Sequence, residues 1–434
     1  MCEDRVAHQQ FGKPLRILLV SESVPPHVNG IARRIGHYAA GLKKLGCAVD
    51  LVSPASQYAF SNPWNSTAEM MVIKPETFHS VLLQDYDIVH VVLPLNISGL
   101  WLLAACKIKR TLALSDPTAR KSALVVSWHC NVAQYTELYV PDGPARQLVV
   151  ALHRMVHHNF LPRLSDCILT PTRTTEPDLT KCWVQTGQCL TGMELGSFHP
   201  NNKSTHWGQV WMTSKHNSLK SVGAEYLIIC VSRLAREKGI EDLLQAMEHL
   251  PDCVLWLVGD GNHRCELEQI AKSSSAASRI KFWGYQKGKV LHAAYAVADI
   301  FVCPSLTETF GQTVNEALAS EIKVALPRVN VFVEAYGEYI PSTAYWEPGN
   351  LDSMVGTIQN QLKIDQLPDR TKLKSWDEAS LALLKQYRSI EMPEKDSLWF
   401  LFVLPLWCLL TLLTSMSLYA ISSINRIRYK VTSR

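Results

Sequence analysis

The sequence predicts an α/β protein of two Rossmann-type domains, each a parallel sheet covered by helices. Three observations predict it. Short, β-branched, nearly all-apolar runs recur along the chain, stretches of helix length separate them, and several end in a glycine turn that opens a helix. Strands that are apolar without alternation are buried on both faces, which is the signature of a parallel sheet between helix layers. The helix-length separations supply the crossovers that parallel strands require.

The strand candidates of the first half are residues 15–20 (LRILLV), 48–53, 87–94, 123–128 and 167–171. Those of the second half are 226–232 (YLIICVS), 254–259, 280–284, 300–305 and 323–327. Between the halves, residues 201–223 are polar and rich in Ser, Asn and Lys, which reads as a linker. The expected domains are therefore 15–200 and 224–390. A ligand cleft is expected between them, at the carboxyl ends of the strands.

Bulk properties narrow the function. A chain of 434 residues is too long for one ordinary core, and 47% apolar with 19% charged residues excludes disorder over most of its length. With 43 basic against 39 acidic residues the charge is too balanced for wholesale polyanion binding, so no nucleic-acid partner is expected. The 12 cysteines form no C-x-x-C pair and no zinc spacing, and several sit in apolar runs, so the chain is expected to face a reducing cytosol. Residues 1–14 are polar and lack the apolar core of a cleaved signal. Residues 398–421 are 24 in a row without a charge, enough at about 1.5 Å each to cross a hydrocarbon core of roughly 30 Å. A transmembrane helix is expected there as a C-terminal anchor, with the preceding domains in the cytosol, on a plastid envelope or another organelle membrane. A buried core helix is the alternative.

Candidate chemistry lies at the strand exits. Gly30 opens a helix after the first strand, where a backbone amide can approach an anionic ligand closely. Arg233 leaves the strand 226–232 and Lys238 follows five residues later, two cations suited to a diphosphate. A solvated charged loop would show the same residues. The stretch ETFGQTVNEALAS sets Glu308 and Glu316 around Gly311 at a helix start, so that free amides face phosphate while the carboxylates accept sugar or ribose hydroxyls. A dipole-stabilising Glu308 and a surface Glu316 would read identically.

In this order the pieces resemble the retaining glycosyltransferases of family four, with the GT-B fold, over most of residues 15–340. The resemblance implies that Arg233 and Lys238 hold a donor diphosphate, that Glu308 contacts the transferred sugar and Glu316 the ribose, and that Gly30 approaches phosphates and acceptor. It further implies that His129, in VVSWHCN, contacts the donor sugar, and that neither metal nor cofactor beyond the nucleotide-sugar donor is needed. Within the family, SESVPPHVNGIARRI, SWHCNVAQY and VGDGNHRCELE look most like sulfoquinovosyltransferases and glycolipid mannosyltransferases. A lipid acceptor and a membrane are then the expected partners. There are departures from the family pattern: Glu321 and Lys323 occupy its usual glycine and proline positions, and Arg328, Val329 and Asn330 replace a glycine-containing loop. A GT-B epimerase and a non-catalytic sugar-nucleotide-binding membrane protein remain alternative readings.

Overall fold

The computed structural model describes residues 13–21, 23–25, 29–53, 60–61, 69–70, 75–93, 97–112, 121–129, 142–155, 161–175 and 184–392. The chain forms two compact units. The first reaches Leu190 and takes back the chain from Trp376, and the second is Thr191–Ser375.

The first unit runs β1 (Arg16–Ser21), α1 (Gly30–Lys44), β2 (Ala48–Val52), the small antiparallel pair β3 (Phe60–Ser61) and β4 (Glu69–Met70), α2 (Pro75–Leu82), β5 (Ile88–Leu93) and α3 (Ile97–Leu112). It continues with β6 (Ala123–Trp128), α4 (Pro144–Met155), α5 (Leu161–Leu164), β7 (Cys167–Thr170) and β8 (Gln185–Gln188). Its six-stranded sheet has the order β2-β1-β5-β6-β7-β8, parallel throughout. Alternate residues of β1 enter two separate cores: Leu18 and Val20 pack with Val89, Leu103 and Val126, while Ile17 and Leu19 pack with Ile35, Tyr38 and Val125. This is why the run is apolar without alternation.

The second unit runs α6 (His206–Val222), β9 (Tyr226–Val231), α7 (Ile240–Ala246), β10 (Cys253–Val258), α8 (Arg264–Ser273), β11 (Ile280–Gly284) and α9 (Gly288–Val297). Then come β12 (Ile300–Val302), α10 (Gln312–Ala319), β13 (Lys323–Pro327), α11 (Asn330–Tyr336), β14 (Tyr345–Trp346) and α12 (Leu351–Lys363). Its sheet is again six-stranded and parallel, in the order β11-β10-β9-β12-β13-β14. Strand order reverses between β9 and β12, the topological switch point at which ligands of open α/β sheets sit.

The segment expected as a linker is a structural part of the second unit. Thr205 caps α6 by accepting from the Gly208 amide at 3.1 Å, and Gly223 ends it in the left-handed conformation. Trp211, 4% exposed, packs 5.0 Å from Trp256 and 4.6 Å from Trp283, ring centre to ring centre, and donates its indole N–H to the Val290 carbonyl at 3.0 Å. The polar composition of 201–223 belongs to the solvent face of this helix.

The expected second domain, 224–390, also needs correction at its far end. Helix α13 (Trp376–Arg388) joins the first unit, where Trp376, Ala379, Leu383 and Tyr387 enter the core beside Ile17 and Tyr38. Close approach explains Gly41: a Cβ there would lie 2.1 Å from Ser380 Oγ. Tyr387 bonds His90 Nδ1 at 2.6 Å, and Trp376 stacks on His37. Among the described residues no helix is long and apolar enough to cross a membrane, and the span expected at 398–421 lies outside them.

Candidate functional site

The second unit gathers Arg233, Lys238, Glu308 and Gly311 at the exits of β9 and β12. The loop after β9 is laced to the loop after β10: Ser232 and Leu234 amides donate to the Val258 and Asp260 carbonyls at 3.1 and 3.0 Å. Gly259 and Gly261 permit this approach, because a Cβ at either would meet the Ser232 or Leu234 carbonyl oxygen at 1.9 or 2.2 Å. Arg233 leaves from this lacing. A short helical turn over Arg236–Lys238 then brings Lys238 to Gly239, whose φ of 61° reverses the chain into α7.

The same turn is clamped to the loop after β12. Ser305 Oγ and Thr307 Oγ1 donate to the Glu237 carbonyl at 3.3 and 3.1 Å, and Gly239 lies so close to the Pro304 carbonyl that a Cβ would stand 2.9 Å from it. The clamp delivers Glu308 to Lys238, and the two form an ion pair at 2.5 Å with side chains 15% and 18% exposed. On the other side of the turn, the buried Glu237 carboxylate accepts from the Arg233 guanidinium. Each candidate cation is thus held by a carboxylate, and the loop is not the solvated charge run that the sequence alone allows.

Gly311 caps α10 with φ 87°, and a Cβ there would lie 2.6 Å from the Phe332 ring. Its carbonyl accepts from Tyr336 Oη at 2.7 Å, so the entry to α10 is fixed from below. Glu316 lies on α10 and is buried, not a surface acid; one oxygen accepts from Tyr295 Oη at 2.9 Å. Burial first, then the Glu316 charge, pushes the Tyr295 phenol well above its ordinary range, so it remains a donor at neutral pH.

The first unit carries the other two candidates. Gly30 is the exposed first residue of α1, whose cap is the Asn29 side chain accepting from the Ala32 amide at 2.8 Å. His129 follows β6 and is buried. Its Nδ1 lies 2.8 Å from Arg34 Nη1 and its Nε2 2.9 Å from Ser127 Oγ. A guanidinium can only donate, so Nδ1 is the acceptor and the ring proton sits on Nε2, facing Ser127. Burial, then the Arg34 charge, then His90, hold this imidazole well below its usual pKa, so it is neutral.

Arg34, Glu237 and Tyr295 are the partners that motif spacing leaves out. Arg34 had a positional signal: it precedes Tyr38 by four residues and so shares the buried face of α1. Of the Glu321 and Arg328 departures, Glu321 takes φ 53° just before β13, and Arg328 lies just after β13, 3.1 Å from Glu347 and over the Tyr345 ring.

Comparisons with known proteins show what this chain is similar to. The model for "Glycosyl transferases group 1" matches residues 212–375, which contain Arg233, Lys238, Glu308, Gly311 and Glu316. A sulfoquinovosyl transferase of Arabidopsis thaliana is 26% identical over 339 residues, 74% of this chain and 61% of that protein. A GDP-mannose-dependent alpha-mannosyltransferase of Corynebacterium glutamicum is 23% identical over 87% of this chain and 90% of its own length. An alpha-monoglucosyldiacylglycerol synthase of Acholeplasma laidlawii is 33% identical over 112 residues, 25% of this chain and 28% of that protein. Among solved structures, an alpha,alpha-trehalose 6-phosphate synthase of Burkholderia multivorans superposes with a TM-score of 0.56 at 14% identity, over 97% of this chain and 99% of that one. The resemblance drawn from the sequence motifs holds in that residues 212–375 match the glycosyl transferases group 1 model, within a chain whose two parallel sheets are of GT-B type.

Proposed function

We propose that the protein is a retaining hexosyltransferase that moves a sugar from a nucleoside diphosphate donor, UDP-sulfoquinovose by preference, to a diacylglycerol-type lipid. The observation that carries this reading is the convergence of Arg233, Lys238 and Glu308 at the β9/β12 switch point. Departure of a nucleoside diphosphate concentrates negative charge on the leaving oxygens. Arg233, Lys238 and the amides at the start of α10 are the groups that offset it, in place of a metal. Glu308 positions the sugar, Glu316 and Tyr295 meet the ribose, and Gly30 admits phosphate and acceptor. His129 positions the sugar once its Nε2–H exchanges Ser127 for a sugar hydroxyl. Attack from the side of departure retains configuration without a dedicated nucleophile.

The sugar preference leans on the Arabidopsis relative, and the mannosyltransferase match over most of both chains favours mannose as the second reading. The lipid acceptor leans on the diacylglycerol-lipid relative and on the uncharged span 398–421, which would anchor the protein with its catalytic units in the cytosol. Incubation with labelled nucleotide sugars and a lipid extract tests the reading. A labelled glycolipid supports it, an isomerised donor points to an epimerase, and binding without product to a sensor. Lys238→Ala should cost several kcal/mol of transition-state stabilisation, a loss of about a thousandfold in kcat/KM. Near-normal turnover would remove Lys238 from the mechanism. Absence of a glycosidase-sensitive gel shift is expected for cytosolic units, and a shift would reverse the topology.

A further inference from the structure

The two residues given different ligand atoms by the proposed function touch each other here. Lys238 is meant for a phosphate oxygen and Glu308 for a sugar hydroxyl, yet Lys238 Nζ and Glu308 Oε1 form a largely buried ion pair. The contact is built in, not incidental. Ser305, Thr307 and Gly239 fix the turn of Lys238 against the loop of Glu308, so both side chains start from backbone held in place on either side of the pair.

We infer that Glu308 is an internal competitor of the donor diphosphate: in the nucleotide-free site it occupies Lys238, and donor binding exchanges it for a phosphate oxygen. The inference rests on the diphosphate reading of Arg233 and Lys238. Its physical basis is charge. A carboxylate and a diphosphate crowded onto one ammonium in a poorly solvated site repel each other, so one must leave. An intact donor offers the displaced carboxylate a hydroxyl on its sugar. A nucleoside diphosphate without a sugar offers none. Glu308 therefore returns to Lys238 after transfer and helps expel the spent nucleotide, so the same acid discriminates donor from product.

The test is calorimetric titration of the full-length chain with UDP, GDP and ADP, beside the isosteric variant Glu308→Gln, whose fold is checked by its unfolding midpoint. The glutamine cannot hold Lys238 as an ion pair, so the bound diphosphate should tighten by about tenfold. A crystal structure of the wild-type nucleotide complex should show the Lys238–Glu308 pair open. Equal or weaker binding by Glu308→Gln, or an intact pair beside a bound diphosphate, overturns the competition while leaving the diphosphate site standing. No binding of any of the three nucleotides by either protein brings down the diphosphate reading, and the competition with it.

Discussion

Gly311 meets two separate requirements, and substituting alanine violates both. Its φ of 87° lies in the left-handed region, where a β-carbon costs about 1–2 kcal/mol. The added methyl would also stand 2.6 Å from Cε1 of Phe332, a fully buried ring, so either the ring or the start of α10 must shift, at roughly 1–3 kcal/mol. Together these predict a loss of about 2–5 kcal/mol for Gly311→Ala. For a unit of this size that lowers the unfolding midpoint by on the order of 5 to 15 °C. Gly349 isolates the backbone part, because it has φ 74° and open space around its missing Cβ. Gly349→Ala should therefore lose only the first 1–2 kcal/mol, or about that. Scanning calorimetry of both variants, with Gly311→Ala/Phe332→Leu as the relief of the clash, measures the difference. If Gly311→Ala is no less stable than Gly349→Ala, or Phe332→Leu brings no recovery, the packing argument for this glycine is wrong.

Two further outcomes are expected. Trp211→Ala should destabilise the second unit by about 3–5 kcal/mol in denaturant unfolding, since the indole is buried between Trp256 and Trp283; a cost below about 0.5 kcal/mol, the range of surface substitutions, would return residues 206–222 to the status of a linker. Stability of the first unit should fall as pH drops below 6.5, because burial lowers His90 to about 3, so the unfolded chain binds a proton that the folded one refuses. The stability present above 6.5 is lost progressively towards pH 3, about 2 kcal/mol of it by pH 5, with His129 acting in the same direction. His90→Gln should remove one proton from the slope of unfolding midpoint against pH, and an unchanged slope would refute the assignment.

The strands were legible because parallel sheets bury both faces, and every expected run holds one. Two of the four edge strands, β8 and β14, were not. Residues 185–188 (QTGQ) make β8 with half of their side chains in solvent, and β14 is two residues long, so neither leaves an apolar run. Helix α6 was misread for the same reason in reverse: its many polar residues face water, and only Trp211, Leu219 and Val222, spaced eight and three apart, record its buried stripe. The helical period of α13 is equally plain in Trp376, Leu383, Leu384 and Tyr387, but periodicity says that a face is buried and not which sheet it covers. At the site, spacing along the chain identified which residues stand at strand exits. It did not single out Glu237, four residues beyond Arg233 in the same turn, and it could not identify Tyr295 on Glu316 or Arg34 on His129, since those two contacts are made by the fold and not by neighbours in sequence.

The departures at Glu321 and Arg328 separate on the same grounds. In a parallel sheet the strand exits share one edge and the entries share the other, and the candidate chemistry sits on the exit edge. Glu321 precedes β13, on the entry edge, and takes a left-handed φ of 53° that costs a non-glycine residue about 1–2 kcal/mol. Its carboxylate, 3.8 Å from Arg370 Nε, offsets little of that, so this departure bears on stability and lies off the edge that carries the candidate site. Arg328 follows β13 on the exit edge, one strand over from Glu308. Its guanidinium is tied to Glu347, to the Ser342 carbonyl and to the Tyr345 ring, which places a held cation after β13 where small residues would leave backbone amides open. Of the two, only Arg328 stands on the exit edge that carries the candidate site.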